Sequence, residues 1–253
     1  MKLRYKIFTL ILAGLICAGG AQAFNALDLI FVIDLTGSMS DDIEEVQKSA
    51  ADMVDYVAEN IPDYRIAIVG YRDFGESKMF EDYPFSSDKE DILDNIDDLN
   101  VYGGGDWPEA VYEGLMRAIM TEEIGSWRNG VAKKIILMGD APPHEKEDGP
   151  EYIYDVEDVA KAAYEVDPAN IYSIVIGDDE DAADSFEQLA DKTTGKFLRA
   201  DEAEDVPDMI MEALEDIDDE VGGLRWWIIL LIVLGSVGVL VSIVVAVIII
   251  VKK

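Results

Sequence analysis

The chain is poor in three kinds of residue on which many functional sites depend. Among its 253 residues there is one cysteine, Cys17, and one histidine, His144. Basic residues are also few, because 20 Lys and Arg stand against 53 Asp and Glu, which gives a formal net charge of -33. A field of that sign repels nucleic-acid phosphates and anionic lipid, so it argues against a nucleic-acid-binding protein. It favours cations and cationic partners instead.

Acidic residues are absent from both ends of the chain, and each end contains an apolar run. Residues 1–23 combine three bases, a short apolar stretch and small residues up to Ala23, a pattern typical of a secretory signal peptide. Residues 226–251 contain no charge. At about 1.5 Å per residue this run exceeds the ~30 Å hydrocarbon core, so we predict a transmembrane helix. Residues 222–225 would be a short linker, and Lys252–Lys253 a cytoplasmic tail.

Together the two ends predict a single-pass protein of the cell membrane, with its body, residues 24–221, outside the cytoplasm. Cleavage of the signal would remove Cys17, and the mature chain would then have no disulfide, thiolate zinc site or cysteine nucleophile. All 53 acids lie in residues 24–224 with 14 of the bases, a net charge of -39. A small-residue stripe in the apolar run predicts helix pairing and a homo-oligomer as one alternative. Its members are Gly238, Ser242 and Ala246.

The body alternates short apolar runs with segments of helical periodicity. This order predicts an α/β fold, a doubly wound, mostly parallel sheet with helices on both faces. Ligands of such sheets bind beyond the carboxyl ends of the strands, so the polar loops at those ends are the places to search. The predicted strands are 27–34, 65–71, 79–85 (an edge strand, because of Pro84), 134–138, 171–176 and 196–199. The predicted helices are 40–61, 89–99, 108–119, 156–164, 183–190 and 210–221.

Oxygen-bearing side chains alternate where the first predicted strand ends. Asp34, Thr36 and Ser38 occupy every second position, and Gly37 allows a sharp turn between them. One carboxylate and two hydroxyls that converge on a point suit a hard cation with oxygen ligands. Asp140 follows the fourth predicted strand, so it belongs to the same edge of the sheet.

Three segments of the body resemble the loops of a von Willebrand factor type A domain. They are FVIDLTGSM at 31–39, GGGDWPEA at 103–110 and IILMGDAPPH at 135–144. The first is similar to the D-x-S-x-S motif of the metal-ion-dependent adhesion site, with Thr36 in place of the first serine. The resemblance covers about residues 26–220 and implies a binding domain, not an enzyme.

The resemblance also implies a metal-binding set. Asp34, Thr36, Ser38 and Asp140 would bind Mg²⁺, or alternatively Mn²⁺ or Ca²⁺, and an acidic side chain of a protein ligand would complete the coordination shell. Family members usually have a threonine in the middle loop, where this chain has Gly105 followed by Asp106. Asp106 would replace that threonine directly or through a water molecule.

Other interpretations remain open at this point. Asp34 to Ser38 would also serve as a strand end and helix cap, since Asp, Ser and Thr favour caps. The same acids and a metal would serve a hydrolase or phosphotransferase, and a structural subunit of an envelope complex would need no metal. No phosphate-binding glycine motif is present. We interpret His144 as structural, Arg72–Asp73 as an ion pair or loop anchor near the site, and residues 178–184 as a solvated acidic face.

Overall fold

The computed structural model describes residues 26–105, 107–120, 122–166 and 168–222. The predicted signal peptide, transmembrane helix and Asp106 lie outside the described residues. Within the part of the chain that is described, no helix is both long enough and apolar enough to cross a membrane.

Six strands form one sheet, and five of them are parallel. The strands are β1 (Ala26–Asp34), β2 (Asp63–Tyr71), β3 (Phe80–Ser86), β4 (Ala132–Gly139), β5 (Ala169–Ile176) and β6 (Phe197–Ala200). Their spatial order is β3-β2-β1-β4-β5-β6, and only the edge strand β3 is antiparallel to its neighbour. The chain therefore moves to one side of β1 first and to the other side afterwards. The strand order reverses between β1 and β4, and ligands of open α/β sheets bind at such a point.

Helices cover both faces of this sheet, as the alternation predicts. They are α1 (Ser40–Asn60), α2 (Lys89–Asp97), α3 (Val111–Met120), α4 (Val156–Glu165), α5 (Glu180–Lys192) and α6 (Val206–Gly222). Helices α1, α2 and α6 pack together on one face, and α3, α4 and α5 pack in a row on the other. The α/β fold with a mostly parallel sheet is thereby confirmed.

Each face of the sheet has its own hydrophobic core because neighbouring side chains on a strand point to opposite sides. Ile30 and Val32 of β1 pack towards α3 and α5, where Leu115 and Phe186 lie fully buried. The intervening residues of β1 face α1 and α6 on the other side. Since β1 and β4 are buried on both faces, their runs read as almost continuously apolar.

The predicted helix at 108–119 begins later than its sequence suggests. The structure starts α3 at Val111, because the backbone of Glu109 is already engaged elsewhere. Its N–H donates to the Pro142 carbonyl, its carbonyl accepts from the His144 N–H, and both distances are 3.0 Å. Pro108 thus belongs to a loop held against the end of β4, and proline at the first turn of a helix was the wrong interpretation of it.

The acidic segment at 178–184 also has a structural role beyond solvation. Helix α5 begins at Glu180, three residues earlier than predicted, because the Asp179 carboxylate accepts a hydrogen bond from the Ala182 amide at 2.7 Å. Such a cap satisfies one of the free amides at the helix start.

Candidate functional site

The first polar loop turns its oxygen atoms inward directly after β1. Asp34 is the last residue of the strand, and its Oδ1 accepts a hydrogen bond from the Thr36 amide at 2.8 Å. The Thr36 and Ser38 hydroxyl oxygens lie 3.3 Å apart. A short 3₁₀ turn, Gly37–Met39, then leads into α1. Asp34 and Thr36 are fully buried whereas Ser38 is exposed, so the three side chains extend from the interior to the surface.

The end of β4 brings Asp140 to the same place. Strands β1 and β4 pair in register as far as Ile33 and Met138, so Gly139 lies beside Asp34. A Cβ atom added to Gly139 would lie 3.4 Å from the Asp34 Cβ and 2.8 Å from the Tyr71 hydroxyl. Burial raises the pKa of Asp140, and a hydrogen bond from Ser38 acts in the opposite direction. Four predicted site residues, Asp34, Thr36, Ser38 and Asp140, therefore converge at the reversal point of the sheet.

The two carboxylates in this cluster lack sufficient hydrogen-bond donors. Burial raises the pKa of Asp34 to about 7, and the nearby charge of Asp140 adds to the effect. Among the described residues, Asp34 Oδ2 and Asp140 Oδ1 are buried without a hydrogen-bond partner. Buried carboxylate oxygens in this condition favour either a proton or a cation. The donor set, two carboxylates and two hydroxyls, fits a hard cation such as Mg²⁺.

The fit of a hard cation to this cluster depends on the hydroxyl groups of Thr36 and Ser38. Within the described ranges, no three His, Cys, Asp or Glu side chains lie close enough together to hold a metal ion by themselves. A metal ion held in this cluster would therefore need the Thr36 and Ser38 oxygens in addition to the carboxylates.

The middle loop folds directly onto the first loop. The Tyr102 amide donates to the Leu35 carbonyl at 3.0 Å, and the Gly37 amide donates to the Gly103 carbonyl at 3.1 Å. Gly104 has a φ of +74°, and a Cβ atom there would lie 2.8 Å from the Thr36 Cβ. Only glycine accommodates both that φ and that contact easily. Gly105 is exposed, with open space around it, and Asp106 lies outside the described residues.

Two carboxylates near the site were missed by the sequence interpretation. Glu109 is 3% exposed, and its Oε1 would lie 3.0 Å from a Cβ added to Gly104, on the same side as Thr36. Burial raises the pKa of Tyr71 well above its usual value, and the charges of Asp34, Asp140 and Glu109 raise it further. Glu109 is therefore a third acid around the Tyr71 hydroxyl. The sequence interpretation missed Glu109 as a site residue because Pro108, directly before it, was interpreted as the start of a helix.

Asp42 is the second missed acid. It lies in the first turn of α1, where acids usually face solvent and favour the helix dipole. Here it is 7% exposed, and burial raises its pKa to about 6, with Asp140 contributing. Nothing in the local sequence distinguishes Asp42 from its exposed neighbour Asp41.

Arg72 holds the middle loop at the end of β2. Its guanidinium is fully buried, forms a 2.8 Å ion pair with Glu81, and lies 3.8 Å from the centre of the Tyr102 ring. It also donates a hydrogen bond to the Asn100 carbonyl. Arg72 thus connects β2, β3 and the segment that leads into the middle loop, the kind of loop anchor that its position suggests.

His144 connects two further loops beside the site. Its ring stacks on Tyr152 with centroids 3.8 Å apart, and its Nε2 lies 3.5 Å from Asp73 Oδ1. The Nδ1 atom lies 3.3 Å from Asp148 Oδ2. The imidazole is buried by these contacts, which agrees with a structural role.

Fold and site together define a class of protein, an α/β domain with a polar, carboxylate-rich cluster where three loops meet at the reversal point of the sheet. A family model described as von Willebrand factor A domain matches residues 28–156. The chain belongs to this family.

Two curated relatives match about half of the chain. The first is the alpha-protein kinase vwkA of Dictyostelium discoideum, 27% identical over 128 residues, which are 49% of this chain and 20% of that protein. The second is the putative ariadne-like RING finger protein R811 of Acanthamoeba polyphaga mimivirus, 29% identical over 123 residues, or 47% of this chain and 11% of that protein. The matched part spans only a fifth or less of either relative.

Solved structures share the fold at low sequence identity. The pilus adhesin SpaC from Lactobacillus rhamnosus GG in its open conformation has a TM-score of 0.59 at 14% identity, covering 78% of this chain and 30% of that one. Proximal thread matrix protein 1 (PTMP1) from the mussel byssus has a TM-score of 0.57 at 15% identity, with 76% and 46% covered. At such identities the likeness shows the fold alone.

Proposed function

We propose that this domain binds a protein partner through a divalent metal, with Mg²⁺ as the first candidate and Mn²⁺ or Ca²⁺ as alternatives. The buried, unpartnered oxygens of Asp34 and Asp140, beside the Thr36 and Ser38 hydroxyls, carry the proposal. The bound metal would supply an open coordination position at the surface. A carboxylate of the partner would fill that position.

The proposed ligand set has one variable member. Asp34, Thr36, Ser38 and Asp140 form its core. Asp106, which follows Gly105, or a water molecule would occupy the middle-loop position. Glu109 is a second candidate for that position, because its carboxylate and the Thr36 side chain lie on the same side of Gly104.

Binding is proposed in preference to turnover. Domains of this family typically mediate adhesion or protein–protein contacts, and the structural neighbours named above are an adhesin and a matrix protein. One relative is named as a kinase, but the match with this chain covers only 20% of that protein, so its name does not support a kinase activity here.

The proposed location is the cell surface. Residues 1–23 would direct export, residues 226–251 would anchor the chain, and the small-residue stripe would allow two anchors to pair. Protease treatment of intact cells tests the orientation, because the body should be digested while a tag placed after Lys253 survives. Survival of the body in intact cells would contradict it.

The metal proposal is tested with the full-length chain in lipid nanodiscs. Mg²⁺ should release or absorb heat on titration and raise the melting temperature of the wild type, and Asp34→Asn should abolish both effects. Asp41→Asn is the matched control, since Asp41 is exposed and lies seven positions further along. Equal uptake of Mg²⁺ by Asp34→Asn and the wild type would overturn the metal site.

A further inference from the structure

A groove runs along one side of α3, away from the proposed metal cluster. We name it the α3 groove. Its apolar lining comes from the start of β3 and the segment before it, from α3 and from the segment before α4. The main lining residues are Met79, Phe80, Met116, Met120, Ile153 and Tyr154.

This lining is unusually apolar for a surface. Met120 is 65% exposed and Ile153 is 56% exposed, and they are two of only four large hydrophobic side chains exposed among the described residues. Three of the lining residues are methionines, whose flexible side chains adapt to different apolar partners. Concave surfaces lined mainly by apolar side chains with a few polar groups are typical of binding sites.

The groove also contains an acid that lacks a cation. Glu113 of α3 forms part of its wall, is 6% exposed, and neither carboxylate oxygen has a hydrogen-bond partner among the described residues. The backbone amides of Ile153 and Tyr154 lie nearby, yet burial dominates and raises the pKa of Glu113. A second acid, Glu151, is exposed on the groove lining.

Among the described residues, Arg117 is the one base on the lining, and it does not compensate these acids. Arg117 donates to Asp82 Oδ2 and also pairs with Glu123. Its charge is therefore already matched by two carboxylates outside the lining. Glu151 remains exposed on the lining, so the groove combines apolar walls with negative charge.

We infer that the α3 groove binds an apolar peptide segment of a partner protein that carries Lys or Arg. The apolar side chains would lie against Met116, Met120 and Ile153, and the cation would pair with the exposed Glu151. Charge complementarity selects this occupant, since the acidic body repels anionic lipid and acidic peptides. Apolar anchors flanked by matched charges are the usual composition of such peptide sites.

This surface is separate from the proposed metal cluster but adjacent to its loops. Phe74 borders the groove and packs edge-on against Tyr152 at 5.2 Å, and Tyr152 stacks on His144. None of the described residues proposed above as metal ligands lines the groove. Binding in the groove should therefore continue when a chelator removes divalent ions.

The test uses the full-length chain in nanodiscs with excess chelator and a fluorescent model peptide. The probe is an amphipathic helix of about four turns, with leucines at i, i+3, i+4 and i+7 and lysines elsewhere. Fluorescence anisotropy should show saturable binding by the wild type. Met120→Glu and Ile153→Glu should each weaken it by about tenfold or more, and Glu151→Gln by a smaller factor. Both glutamate variants alter exposed positions, and thermal melting verifies that they fold.

Two controls make the result specific. Glu187→Gln removes an exposed acid on α5 and should leave the affinity unchanged, and a probe with glutamate in place of lysine should not bind. Equal affinity of Ile153→Glu, Met120→Glu and the wild type would overturn the groove as the site. Self-association of the wild type in ultracentrifugation that Met120→Glu abolishes would also overturn the inference, because a second copy would then be the occupant.

Discussion

At the scale of single residues, the candidate site depends on close backbone contact as much as on ligand atoms. Gly104 allows the middle loop to lie against Thr36, and its φ of +74° is one that residues with a Cβ rarely adopt. A side chain there would meet both Thr36 and the Glu109 carboxylate, and it would push the two loops apart. The glycine is therefore a condition for the site, although it offers no metal-binding side chain.

Gly104→Ala should destabilise the body by about 1–2 kcal/mol, because it adds strain at a positive φ and a clash with Thr36. Mg²⁺ stabilisation should weaken as well, since the Thr36 hydroxyl would be displaced. Urea unfolding with and without Mg²⁺ measures both effects. Gly105→Ala is the matched control, because a Cβ at that position meets no atom within 4 Å. Similar losses from both variants would contradict this explanation.

At the scale of elements, the opposite end of the sheet is fastened by a buried ion cluster around Asp28 of β1. Arg65 of β2 donates its Nε–H to Asp28 at 2.9 Å. Arg128, just before β4, donates its Nε–H to the same carboxylate at 2.7 Å. Asp28 is fully buried, and although burial opposes its charge, hydrogen bonds from Arg65 and Arg128 lower its pKa overall.

Asp28→Asn should lower the free energy of unfolding by about 3 kcal/mol at pH 7, because two arginines lose a buried, charged partner. The folded-state pKa of Asp28 lies below its unfolded value, so the charge stabilises the folded state above about pH 4. That contribution disappears as the pH falls through the folded-state pKa. Denaturant unfolding at a series of pH values should show that the free energies of unfolding of the variant and the wild type become equal in acid.

Asp63→Asn is the control for this cluster. Asp63 also pairs with Arg128, but its side chain is 63% exposed, so its loss should cost about 1 kcal/mol or less. If Asp28→Asn lowered the free energy of unfolding by the same amount at every pH, including the most acidic, the stabilisation would not come from the charge of Asp28.

At the scale of the whole molecule, net charge opposes the compact state. Residues 24–224 hold 53 acids and 14 bases, so repulsion between carboxylates outweighs their attraction to bases over the body as a whole. Salt screens this repulsion, because the Debye length falls from about 10 Å at 0.1 M to about 3 Å at 1 M.

The melting temperature of the chelated protein should therefore rise by a few degrees between about 0.1 M and 1 M NaCl. Chelation separates this effect from metal binding, and an iso-osmotic sucrose series separates it from solvent exclusion. A melting temperature that stays flat or falls with added salt would rule out charge repulsion as a significant cost.

Most of the fold was predictable because local patterns and global packing agree. The apolar runs before Asp34 and Asp140 are long, flanked by polar loops and buried on both faces, so their strand assignment is confirmed within two residues. The helix start near Pro108 was not predictable. Two long-range hydrogen bonds of the Glu109 backbone, one donated and one accepted, override the local preference there, and no local pattern records them.

The sequence by itself determined the segregation of charge, the alternation of strand and helix, and which strand ends carry oxygen-bearing side chains, because these properties follow from residue type and local period. Only the tertiary structure decided which acids share one buried environment. Asp42 and Glu109 join Asp34 and Asp140 through burial, and burial depends on strand register and on contacts between loops far apart in the chain.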